Sequence, residues 1–229
     1  MVFRMAGILL LSVVAFAASV AAQSTAPPSP ITRTMIAATK LLTVAEVPLY
    51  FRALSVTLLP GKDSTLSAAN GILYEMSGSI EVSVGEKIKM LNAGEGLFIA
   101  AGRTATLKAG GAAPSTLLHF FLAPAADLDR PAELVPATVK ELYRSQAPIP
   151  GLKPGPYDLD LTRITFPAQM PSNPPHHRSG AALYYIISGT GANTVDGKTE
   201  AKGPGVVIYE PFGLVHQWGN PGNEPLMSC

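Results

Sequence analysis

One pattern recurs along the chain at a spacing of 111 residues, and this constrains the fold more than any other feature. Gly94-EGLFI-Ala100-Ala-Gly102 matches Gly205-VVIYE-Pro211-Phe-Gly213 in spacing, an offset of 205 − 94 = 111. The same offset carries Ser77-Gly78 onto Ser188-Gly189, Pro60 onto Pro171 and Arg52 onto Arg163. Self-similarity on this scale indicates one folding unit built twice. With 47% hydrophobic residues, a 229-residue chain has apolar material for two small cores.

Each copy consists of short runs rich in Val, Ile, Leu, Tyr and Phe, bounded by Gly, Asn, Asp and Pro. In the first these are LYFRALSVTLL, ILYEMSG, IEVSV, GLFIA and STLLHFFL. In the second they are LDLTRITF, ALYYIISG, ANTVDGKTEA, GVVIYE and VHQWGN, where Asp196-Gly197 marks a hairpin turn. Many short strands with turn signals between them predict an all-β protein of two tandem barrels. Arg4, the apolar stretch Ile8 to Ala18 and the small residues Val20-Ala21-Ala22 predict a signal peptide over 1–22, cut near Gln23. The expected layout continues with a leader over 23–48, a first barrel over 49–124, a Pro-rich linker over 125–157 and a second barrel over 158–229. Within the linker, AELVPATVKELYR is expected to hold one short helix in its later part, after Pro136.

The lone Cys229 allows no internal disulfide, so packing must hold the fold of what is expected to be a secreted or periplasmic protein without a membrane span after cleavage. Only 14% of residues are charged and the net charge is +1, which excludes a basic stripe for nucleic acid. One asymmetry between the copies stands out. STLLHFFL follows Pro114, whereas only four residues follow Pro225, so the second barrel is expected to lack most of its last strand. An open edge of this kind predicts weak stability or a homo-oligomer.

Gly205, Pro211, Gly213, His216 and Asn220 fill the pattern G-x5-P-x-G-x2-H-x3-N. In this the chain resembles the cupin superfamily, with two jelly-roll barrels in tandem as in bicupins and a type-2 cupin domain as the second. The family's other motif, H-x-H, three or four residues, Glu, six residues and Gly, is met only in part. With Gly189 as its last glycine the Glu slot falls on Ala182, and the histidine pair falls on His176 and Arg178 or on Pro175 and His177. The resemblance implies a divalent transition metal (Fe, Mn, Zn or Ni), with His176, His177 and His216 as candidate ligands, because imidazoles with an open coordination position make a catalytic site. His176 and His177 both face the barrel only if the strand is irregular there. Arg178, Tyr184 and Trp218 are expected to line the same pocket around a small, flat or anionic organic ligand.

The 111-residue offset sets Thr65, Leu66 and Ala105 against the three histidines, so the first barrel carries no such site. His119, within STLLHFFL, is expected to be a packed strand residue. Two functions remain open: a metal-dependent oxygenase or isomerase of the cupin type, and a non-catalytic module that binds a small molecule without metal. No Ser/His/Asp arrangement, phosphate loop or dinucleotide fingerprint adds a further clue.

Overall fold

The computed structural model describes residues 30–44, 48–67, 69–129 and 134–229. The expected signal peptide, 1–22, and its cleavage site lie outside the described residues. In chain order the strands are β1 (Thr32–Val44), β2 (Leu49–Leu58), β3 (Asp63–Ser67), β4 (Gly71–Ser77), β5 (Ser79–Val84), β6 (Lys87–Asn92), β7 (Gly96–Ile99), β8 (Thr104–Ala109) and β9 (Ser115–Pro124). After the one-turn helix α1 (Ala125–Leu128) come β10 (Thr138–Arg144), β11 (Gly155–Phe166), β12 (Ala182–Ser188), β13 (Gly191–Val195), β14 (Lys198–Lys202), β15 (Val207–Glu210), β16 (His216–Gly219) and β17 (Leu226–Ser228).

Two β-barrels result, as the repeat predicts. The first sets a sheet of order β10-β2-β9-β4-β7 against one of order β3-β8-β5-β6. Between them lies a dry core that includes Leu54, Leu73, Ile80, Leu91, Ile99 and Leu107. The second pairs β1-β11-β17-β12-β15 with β14-β13-β16, around Ile164, Phe166, Tyr184, Ile186, Trp218 and Leu226. A third cluster joins the barrels, with Ile72, Tyr74 and Leu118 of the first packed on Leu161 and Cys229 of the second. No helix among the described residues is long and apolar enough to cross a membrane.

Both outermost strands correct the sequence reading. The leader contributes β1, thirteen residues that pair along β11 from Thr32↔Thr165 to Val44↔Gly155. The segment expected to hold a helix forms β10, which pairs with β2 from Thr138↔Thr57 to Arg144↔Arg52. In each case an extended segment gains a ladder of main-chain hydrogen bonds by covering a sheet edge that would otherwise be exposed.

The structural repeat keeps the 111 offset from β4 and β12 onward. Gly71↔Ile99 matches Ala182↔Glu210, and Glu75↔Leu117 matches Ile186↔Ser228. Gly78 and Gly189 turn at φ 87° and 76°, and a Cβ on either would stand 2.7 Å from the carbonyl of Pro114 or Pro225. At β2 and β11 the register shifts. Leu58 pairs with Ser115 and Phe166 with Leu226, so the strands that pair onto them keep 226 − 115 = 111 whereas these two differ by 166 − 58 = 108. Arg52 and Arg163, like Pro60 and Pro171, are therefore not equivalent. The additional residues lie in the Pro-rich stretch 167–181 between β11 and β12.

The shortened last strand is borne out. β9 is ten residues long and pairs with β2 from end to end. β17 has three residues and meets β11 only at Ile164, Thr165 and Phe166.

Candidate functional site

Residues 170–176 run along β16 and pin it to the loop after β11. Asn220 N–H bonds the Met170 carbonyl at 2.9 Å, Asn173 Oδ1 accepts from Trp218 N–H at 2.8 Å, and His176 and His216 exchange main-chain hydrogen bonds of 3.1 and 2.9 Å. Asn220, fully buried, closes the corner by donating to the carbonyls of Phe166, Pro167 and Glu224. This bridge settles the histidine register. His176 opposes His216 as Leu66 opposes Ala105, so His176 takes the place of Leu66 rather than Thr65.

The two imidazoles are in contact, with ring centroids 4.4 Å apart and planes inclined at 53°. Each Nδ1 is tied to a main-chain carbonyl, His176 to Pro174 at 3.1 Å and His216 to Leu214 at 3.0 Å. These bonds put the proton on Nδ1 and leave Nε2 facing the cluster. His177 does not join them. It is exposed, its Nδ1 3.3 Å from the Arg178 carbonyl, because alternation turns it outward when His176 and Arg178 point in. The candidate ligand trio is thereby reduced to a pair.

The centre of the cluster is Glu210, which the sequence reading did not single out. It ends β15 opposite Ala182, so a carboxylate missing from its expected slot is supplied from the neighbouring strand. Its side chain is 2% exposed. Oε1 accepts from the Trp218 indole N–H at 2.9 Å, and Oε2 accepts from Arg178 Nε at 3.0 Å and lies 3.2 Å from His216 Nε2. Arg178 lies over Tyr184, guanidinium carbon to ring centroid 4.9 Å, and Tyr184 packs on Trp218 at 5.6 Å. The structure thus assembles His176, His216, Arg178, Tyr184 and Trp218 and adds Glu210. A signal for Glu210 was present, since the repeat sets it against Ile99, a buried core residue of the first barrel.

A family model for the cupin domain matches residues 162–228, the stretch that carries this cluster. The second barrel is thus similar to the cupin domain. Solved structures with the same fold include AerE from Microcystis aeruginosa, 16% identical at a TM-score of 0.54 over 76% of this chain and 84% of that one. Salicylate 1,2-dioxygenase from Pseudaminobacter salicylatoxidans is 11% identical, with a TM-score of 0.53 over 77% and 70%. Oxalate decarboxylase from Bacillus subtilis, which has Mn(II) centres, is 17% identical, with a TM-score of 0.53 over 82% and 75%. No curated protein matches the chain. Likeness at these identities establishes the fold and leaves the chemistry to this chain's own residues.

Those residues do not fit a resident metal ion. Arg178 holds the second imidazole slot of H-x-H, and a guanidinium cannot ligate. The one carboxylate in reach already balances that cation. Among the described residues no three His, Cys, Asp or Glu side chains come together in a geometry that could hold a metal.

Proposed function

We propose that the protein is an exported cupin whose second barrel binds a small organic molecule without a metal cofactor, the first barrel serving as its packed support. The observation that carries this reading is Arg178 in a ligand slot with Glu210 as its counter-ion. In place of a metal, the cluster offers a fixed guanidinium, two tethered imidazoles, an indole and a phenol ring. Such a set recognises a ligand by charge and stacking.

The rival reading is a transition-metal oxygenase or isomerase that uses His176, His216 and Glu210. One observation favours it: the buried Nε2 of His216 has no hydrogen-bond partner, as a waiting ligand atom would have none. Elemental analysis of protein purified without added metal, beside His216→Ala, separates the two. The metal-free reading predicts negligible and equal metal in both; one equivalent in the parent, lost in the variant, establishes the rival. For export, recovery of the chain outside the cytoplasm with a new N-terminus near Gln23 is the expected result.

A further inference from the structure

The two imidazoles of the second barrel leave a pair of hydrogen-bond acceptors unfilled. A carbonyl oxygen only accepts, so the Nδ1 atoms of His176 and His216, bonded to the carbonyls of Pro174 and Leu214, each carry the ring proton. Both Nε2 atoms are then acceptors. That of His216, on a side chain 0% exposed, has no hydrogen-bond partner. That of His176 has none among the described residues. Glu210 Oε2 lies 3.2 Å from His216 Nε2 but cannot fill it, being itself an acceptor that is bonded to Arg178 Nε.

A buried acceptor left unmet costs free energy, and folding does not call for it here, since the first barrel sets Leu66 and Ala105 opposite each other at the same two positions. With the ring centroids 4.4 Å apart, the two lone pairs are within reach of donors on adjacent atoms of one molecule. Arg178 and Glu210 already balance each other, so a further charge brought into this buried cluster would be unpaired. We infer that His176 Nε2 and His216 Nε2 together bind a neutral molecule with paired O–H donors, a vicinal diol, each hydroxyl donating to one imidazole. Entry is past His176, which is half-buried where His216 is buried. The inference rests on the reading of the second barrel as a metal-free binding module and names its ligand class; the rival reading gives the same nitrogens to a metal ion.

NMR titration of the full chain labelled with ¹⁵N-histidine, with a chelator present throughout, tests it with three probes: cis-1,2-cyclohexanediol, its monomethyl ether and the cationic cis-2-aminocyclohexanol. The parent protein is expected to show an unprotonated Nε2 on both His176 and His216, and the diol to shift both signals. The diol is expected to bind at least about tenfold more tightly than either other probe, because the ether leaves one acceptor unmet and the amine adds a charge. His176→Ala is expected to abolish the preference for diol over ether; should that variant fail to fold, the shifts of the parent decide. A His216 ring protonated on both nitrogens, equal binding of diol and ether, tighter binding of the amine, or no binding of any probe overturns the diol assignment while the metal-free reading stands. Metal retained by the parent against the chelator, found by elemental analysis of the same sample, overturns the metal-free reading itself.

Discussion

The two barrels share one plan but fill the same four interior positions with opposite chemistry. In the first, Leu66, Ile99, Ala105 and Leu107 belong to an apolar core. In the second the positions are His176, Glu210, His216 and Trp218, where Glu210 accepts from the Trp218 indole N–H and lies 3.2 Å from His216 Nε2. A jelly-roll of this size is stable with its interior packed dry, so the polar set in the second barrel is not required by folding. Burying a carboxylate and two imidazoles costs free energy unless each finds a partner. Glu210 has its partners in Arg178 and Trp218, and the proposal of a binding site in the second barrel rests on this difference.

Exchange of equivalent residues is the most severe way to break the comparison. Ile99→Glu places a carboxylate where nothing can pair it and is expected to cost more than about 4 kcal/mol, unfolding the first barrel. The reverse change, Glu210→Ile, leaves Arg178 free to reach solvent and is expected to cost only about 2 kcal/mol, discounted because that guanidinium is part-exposed. Urea unfolding of both variants provides the check; equal losses would mean that the second cluster is no better partnered than the first core would be.

The first barrel nonetheless buries Glu75 and His119, which makes its stability depend on pH. Burial pushes the Glu75 carboxyl up to about 7, against the hydrogen bond from Ser115 at 2.7 Å that stabilises its charge. Its folded form prefers the proton, so this contribution is full below about pH 4.5 and is lost as pH rises to 7. Burial pushes His119 down to about 3, so its neutral form is preferred and stability falls as pH drops below 6.5. Glu75→Gln should therefore be more stabilising relative to the parent at pH 8 than at pH 5, by up to about 3 kcal/mol. The same melting-temperature difference at both values would remove Glu75 from the account.

Much of this was legible from residues. Duplication, strand runs, the Asp196-Gly197 hairpin with both residues at positive φ and the shortened last strand followed from spacing and composition. The outer strands did not, because β1 and β10 are specified by the edges they cover rather than by their own patterns. The histidine pair was ambiguous for a related reason. Local alternation could not decide between registers until β16 fixed one of them, and the Pro-rich insert hid the three-residue shift from a gapless comparison. Glu210 was overlooked because the family motif looks for a carboxylate on β12, whereas cross-strand adjacency supplies it from β15.

A smaller effect sharpens the contrast in strand length. Where β9 covers Gly71–Leu73 and no strand among the described residues covers Ala182–Tyr184 on that side, main-chain amides of β12 that face the gap are expected to exchange at least about tenfold faster. Hydrogen exchange resolved by residue would show it, and equal protection would mean that the gap is filled, for instance by self-association. Sedimentation over a range of concentrations tests the latter directly; a monomer with a sharp, concentration-independent melt would count against an exposed edge.

The central claim is that Arg178 occupies the place of a metal ligand, and one substitution addresses it most directly. Arg178→His completes the H-x-H spacing with His176 and brings a third imidazole to His216. Equilibrium dialysis against Mn(II), Fe(II) and Zn(II), followed by elemental analysis, is predicted to find negligible metal on the parent chain and close to one equivalent on the variant. One equivalent on the parent chain would contradict the account.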